Sequence, residues 1–159
     1  MILKKGVTGF TAGDLSFDRD WEGLKVEFKR YCYSAVQQLN GEVLAWYEPD
    51  IMIQYAHAHV KIDEKEFYIF YNTMYDYIAF TNNRLITGLE FIDCAAVTPL
   101  FDVRYKVLTV AQLEEPLLRQ KKGDGHILLN ENTLNDVELY YMDYFPAQTV
   151  GDLVFNYWD

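Results

Sequence analysis

The sequence predicts an α+β domain: a mainly antiparallel sheet of about five to seven strands, with an N-terminal amphipathic helix packed on one face. Three observations predict it. One apolar stripe of helical period lies near the start, and short alternating segments separated by polar turns fill the middle. Half of the 159 residues are hydrophobic and 16% are aromatic, more than a disordered chain carries. A chain of this length buries roughly 70% of its unfolded surface without disulfide or metal. Residues 1–159 are expected to form a single globular domain, because domains commonly run to about 100–150 residues.

The elements follow in order. Residues 1–19 read as an irregular arm punctuated by Gly6, Gly9 and Gly13, with Val7 and Phe10 as apolar anchors. A helix begins at Asp18 to Asp20, where either acid can cap it and Glu22 suits the positive end of the dipole. Trp21, Leu24, Phe28, Tyr31, Cys32, Ala35, Val36 and Leu39 recur at spacings of three and four and make one stripe. Asn40-Gly41 ends it, because these residues tolerate positive φ. Strands are expected over Glu42–Glu48, Ile51–Ile62, Glu66–Tyr71 and Tyr75–Thr81, joined by short polar turns as in an antiparallel meander. Arg84–Asp93 reads as a fifth strand with Gly88 as a bulge.

Beyond it the pattern turns broken and helical. Thr98-Pro99 opens one helix, and Val103–Leu108 looks extended. Thr109-x-x-Gln112 has the form of a capping box, opening a short helix that Pro116 disturbs. Lys121–Gly125 reads as a loop, and Asn135 to Tyr141 as a short helix. Gly151–Trp158 alternates well enough to be a last strand of the sheet.

Formal net charge is −10, and it is uneven. From Gly123 onward stand Asp124, Glu131, Asp136, Glu138, Asp143, Asp152 and Asp159, with no Lys or Arg among them. A one-signed surface attracts cationic partners and repels phosphate backbones, which argues against nucleic acid. The start, Met1 to Gly6, has no apolar stretch behind its lysines, so a cytoplasmic location is expected. No apolar run reaches the roughly 20 residues that span a bilayer, so no membrane association is expected.

The pattern offers few candidates for chemistry. His57-x-His59 on a strand would project two imidazoles on one face, half of a metal site that needs further ligands from elsewhere. The competing reading is a polar sheet face with exposed histidines. His126 sits in the Gly-rich stretch Gly123 to His126. Cys32 falls on the apolar stripe of the first helix and reads as an inert core thiol. Gly6-x-x-Gly9-x-x-x-Gly13 lacks the ending of a phosphate loop. No catalytic residue and no cofactor is assigned on this basis.

Binding rests on a different feature. Acids and aromatic rings interleave near the C-terminus: Asp136, Glu138, Tyr140, Tyr141, Asp143, Tyr144, then Asp152, Tyr157, Trp158 and Asp159. Rings supply buried contact area and carboxylates supply steering and pairing to Lys and Arg. Asp136, Glu138, Tyr140, Tyr141, Asp143, Asp152 and Trp158 are therefore the expected contacts to a cationic protein partner.

Two stretches carry a resemblance. Lys4-Lys5-Gly6-Val7-Thr8-Gly9-Phe10 and Phe155-Asn156-Tyr157-Trp158-Asp159 resemble the ends of small bacterial proteins associated with immunity proteins of polymorphic-toxin systems. The resemblance implies a non-catalytic inhibitor that caps a basic toxin domain by mimicking the charge of its substrate. It brings no functional residues that transfer to this chain. The alternative is a small-ligand or metal-dependent enzyme using the His57/His59 strand face, and a homo-oligomeric subunit stays open as a third reading.

Overall fold

The computed structural model describes residues 1–11, 13–14, 18–50, 53–85 and 88–157. Helix α1 (Trp21–Gln38) starts after Asp20 and buries Phe28, Cys32, Ala35 and Val36. Asn40, at φ 53°, takes the left-handed conformation just beyond its end, as a residue that tolerates positive φ can. The chain then runs through β1 (Glu42–Tyr47), β2 (Tyr55–Ile62), β3 (Lys65–Asn72) and β4 (Tyr77–Thr81) as an antiparallel meander. The expected second strand is shorter than Ile51–Ile62, and Ile51 and Met52 lie outside the described residues. Asp63 and Glu64 turn β2 into β3, both with positive φ, at 50° and 62°. That pair of conformations is the two-residue turn whose twist matches the flanking strands.

The outer edge of β4 is shared. Near its end it pairs antiparallel with β5 (Phe91–Ile92), and near its start it pairs parallel with β6 (Lys106–Val107). Among the described residues the sheet is thus six-stranded and mainly antiparallel, with α1 against one face. Of the expected Arg84–Asp93 strand, whose Ile86 and Thr87 lie outside the described residues, β5 is formed. Gly88, at φ 77°, lies in the connection before it rather than inside a ladder. Helix α2 (Thr98–Phe101) carries Pro99 in its first turn, and α3 (Val110–Leu113) opens on the Thr109/Gln112 capping box.

Two expectations in the last third are corrected. Lys121–Gly125 is not an open loop. It is the tip of a separate hairpin, β7 (Arg119–Lys122) and β8 (Gly125–Leu128), with Gly123 at φ 60° in the turn. The expected last strand, Gly151–Trp158, does not form over its described residues 151–157, and Trp158 lies outside them. Thr149 and Asp152 cap each other, the Thr149 hydroxyl accepting from Asp152 N and the Asp152 carboxylate accepting from Thr149 N, and so open helix α5 (Val150–Val154). A reciprocal cap satisfies two otherwise orphaned amides, and this outweighs the period-two pattern of Leu153, Phe155 and Tyr157. Helix α4 (Asp136–Tyr144) lies between hairpin and α5 in sequence.

The alternation of each strand sorts its side chains to two cores. Ala56, Ala58, Val60, Ile69, Tyr71, Ile78 and Phe80 face α1. Tyr55, Phe70, Tyr77 and Ala79 face the other way, against Leu3 and Val7 of the arm and Met142, Leu153 and Phe155 of the C-terminal helices. The sheet is the wall between the two cores, and the C-terminal quarter covers the face that α1 does not.

Candidate functional site

Helix α4 has two stripes of opposite character. Residues three and four apart share a helix face. Glu138, Tyr141, Met142 and Phe145 follow that spacing inward, where Glu138 and Met142 are buried. Asp136, Tyr140, Asp143 and Tyr144 follow it outward. Tyr140 is 57% exposed and Tyr144 65% exposed. Their hydroxyls meet at 2.9 Å, Tyr140 donating.

The inward stripe corrects one expected contact. Glu138 has no exposed surface. Its carboxylate accepts from the backbone N–H groups of Gly6 and Thr8, the Thr8 hydroxyl at 2.6 Å and the Asn135 N–H at 2.9 Å. A buried carboxylate requires such donors, and the arm provides them, so Glu138 anchors the arm and is not a surface acid. Tyr141 stacks on Phe10 at 4.3 Å and is half-buried. The Asp152 carboxylate accepts from Gln148 N and Thr149 N. It lines a separate groove of about 380 Å³ with Leu89, Pro146 and Phe155. Trp158 lies outside the described residues.

The hairpin tip completes the outward face. Asp124 and Gly125 join Tyr140, Asp143 and Tyr144 around a hollow of about 470 Å³. A second hollow of about 300 Å³ is lined by Lys122, His126, Ile127, Asp136, Leu139, Tyr140 and Asp143. His126 Nδ1 lies 3.1 Å from Asp143 Oδ1 and ties hairpin to helix. Asp124 and Asp136 are exposed. Lys121 and Lys122 bring positive charge to the hairpin, but no Lys or Arg among the described residues pairs with Asp124, Asp136 or Asp143. Several bases of the earlier chain are engaged with acids there: Lys5 with Asp14, Arg19 and Arg104 with Asp76, Arg104 with Glu27, Lys25 with Glu48, Lys61 with Glu64.

The two strand histidines share a face, but their surroundings differ. His59 Nε2 lies 3.0 Å from Glu66 Oε2, and its ring stacks on Tyr68. His57 is only 6% exposed, and neither ring nitrogen has a hydrogen-bond partner among the described residues. The expected polar, exposed pair is therefore corrected at His57, because Tyr47, Tyr55 and Phe70 close around it. Burial first and the Arg84 cation second push its pKa down to about 4. Among the described residues no three His, Cys, Asp or Glu side chains gather as a metal site. Cys32 is buried in the α1 core, and burial pushes its thiol well up. No helix among the described residues is long and apolar enough to cross a membrane.

Sequence reasoning missed Asp124 and the hairpin as partners of α4. The signal was Gly123-Asp124-Gly125, a turn between two short runs able to pair. Compared with known proteins, the chain matches no family model, no curated protein and no solved structure.

Proposed function

We propose that this protein is a non-catalytic binder that docks a cationic protein partner on the outward face of α4 and the hairpin tip, as an immunity-type inhibitor capping a basic toxin domain would. The reading is carried by Tyr140 and Tyr144, large rings more than half exposed beside Asp124 and Asp143. Exposed tyrosines offer rigid contact area at small entropic cost, and aromatic residues are enriched among residues that dominate binding energy. Carboxylates without a lysine or arginine partner keep their field for an incoming cation. Such a binder needs a stiff surface and slow release, and no chemistry of its own.

The test is calorimetric and kinetic titration, at low and high salt, with any basic domain that a neighbouring gene encodes, and a gene neighbourhood without one counts against the reading. Removing both rings (Tyr140→Ala with Tyr144→Ala) is expected to weaken binding about a hundredfold, mainly by faster dissociation. Asp124→Asn with Asp143→Asn is expected to slow association several-fold at low salt, and the difference should vanish at high salt. A complex indifferent to salt and to both pairs of changes would remove this reading.

A further inference from the structure

A second feature stands apart from the α4 surface and is independent of it. His57 lies on the face of the sheet opposite α1, in a cross-strand row with Tyr47 of β1 and Phe70 of β3. The Tyr47 ring stacks on the imidazole at 4.5 Å, nearly parallel at 13°. Phe70 lies at 4.9 Å, Tyr55 at 5.7 Å and Tyr68 at 6.2 Å. The Arg84 guanidinium reaches the Tyr47 ring from the segment after β4, 3.7 Å from its centroid. Arg84 is itself exposed. The charge named as acting on His57 is thus a cation, and among the described residues neither of its enclosed nitrogens has a partner.

We infer that the Arg84–Tyr47 pair is an acid-released strap over His57, closed while the imidazole is neutral and loosened when it takes a proton. A protonated ring in this enclosure has two N–H donors and, among the described residues, no acceptor for either. Attraction to the surrounding ring faces returns part of that cost, but Tyr47 already holds Arg84. The groups facing His57 from each element are Tyr47 on β1, Tyr55 and His59 on β2, Tyr68 and Phe70 on β3, and Arg84 beyond β4. His59 is engaged with Glu66. Asp50 and Tyr157 act on neighbouring Tyr55, whose hydroxyl is raised to about 12, chiefly by burial. The strap moves outward most easily because β1 is an edge strand with an irregular register between Val43 and Ala45.

The direction of the pH response follows. The folded value, about 4, lies below the ordinary 6.5 of a solvated imidazole. The closed state is therefore fully favoured above pH 6.5, and its advantage falls as pH drops from 6.5 toward 4. Each pH unit in that window shifts closed to open about tenfold, and the whole window about 300-fold.

Amide exchange, corrected for intrinsic rates, and NMR titration of the His57 ring test the strap between pH 7 and 4.5. In the wild-type protein, protection at Trp46, Tyr47 and Ala56 to Ala58 is expected to fall about tenfold per unit below pH 6.5, while α1 keeps its protection. His57→Phe, which keeps a ring and removes the proton site, should hold those amides level with pH. If His57→Phe fails to fold, His57→Gln gives the same reading. Arg84→Gln should raise the pH at which the His57 ring titrates, since it removes the cation. The inference is overturned if the variants lose protection as the wild type does, if α1 opens in step with β1, or if His57 titrates near 6.5 with protection unchanged.

Discussion

Thr8 and Glu138 are joined by a 2.6 Å hydrogen bond with no solvent access, hydroxyl to carboxylate, across 130 residues of chain. Gly6 adds its amide, and its φ of 86° is a conformation that glycine adopts without steric cost. The opposite side of the same loop is held by amides. Asn72 Nδ2 donates to Val7 O and Val154 O, and Asn156 Nδ2 donates to Thr8 O and Leu153 O. Gly6, Val7 and Thr8 of one distinctive stretch and Asn156 of the other therefore act architecturally. Glu138→Gln presents an amide NH₂ to a ring of donors. It is expected to cost about 3 kcal/mol, the range for leaving a buried polar group mismatched. Urea unfolding at pH 7 measures it, and wild-type stability would refute the anchoring role.

Much of this fold was legible because its local signals and its packing agree. The α1 stripe, the meander turns and the Thr109 and Asn135 starts all appear as the pattern implied. Two of the failures share a cause: side chains chose partners distant in sequence. Glu138 looks like one more surface acid in Asp136–Tyr144 until Gly6 and Thr8 arrive from the arm. His57 looks like half of an exposed pair until Tyr47 and Arg84 cover it. In α5 the signal was local and present, Thr149-x-x-Asp152, but the alternation after it pointed to a strand. Of the expected contact residues, Asp136, Tyr140 and Asp143 do face outward, and helical spacing alone separates them from Glu138 and Tyr141.

The turn between β2 and β3 offers an improvement. Asp63 and Glu64 both hold left-handed conformations, which cost a non-glycine residue roughly 1–2 kcal/mol. Asp tolerates this better than Glu. Glu64 is also bridged to Lys61, but at a fully solvated position where such pairs add little. Glu64→Gly is expected to stabilise the protein by about 1 kcal/mol, the turn becoming the favoured Asp-Gly pair. Thermal and urea unfolding would read the gain, and a loss would mean that the turn carries no strain.

Asp76 is the hub of a charged network that links α1 to the sheet. Its carboxylate accepts from Arg19 and Arg104, each at 2.9 Å, and from Tyr71 Oη at 2.7 Å, while Arg104 also holds Glu27. Burial alone would raise the Asp76 pKa, but the hydrogen bonds from Tyr71, Arg104 and Arg19 outweigh it and hold the carboxyl below its usual value. Asp76 also has φ 53°, which Asn tolerates as well as Asp. Asp76→Asn thus removes charge with little backbone change, and about 2 kcal/mol of stability should go with it at pH 7. The depressed carboxyl stabilises the fold above the unfolded value of 3.8 and ceases to do so as pH falls through the folded value. The gap between wild type and variant should therefore be constant from pH 7 to 5 and close in strong acid. A gap that persists there would assign the effect to geometry instead.

The outward stripe of α4 makes the opposite demand on stability. Tyr140 and Tyr144 touch each other and solvent, and Tyr140 also meets Tyr141 edge-on. Replacing both outer rings with Ala should change folding stability by less than about 1 kcal/mol, since exposed pairs of this kind contribute a few tenths each and Ala favours the helix. Asp143→Asn weakens two exposed contacts to His126, from its ring and its backbone amide, together worth at most about 1 kcal/mol. Unfolding curves superimposable on the wild type would mark this stripe as surface free for a partner, so that any loss of binding in the same variants reports contact and not misfolding. A loss above about 2 kcal/mol would show that the stripe holds helix to hairpin, and the proposed docking face would then have to be sought elsewhere on the molecule.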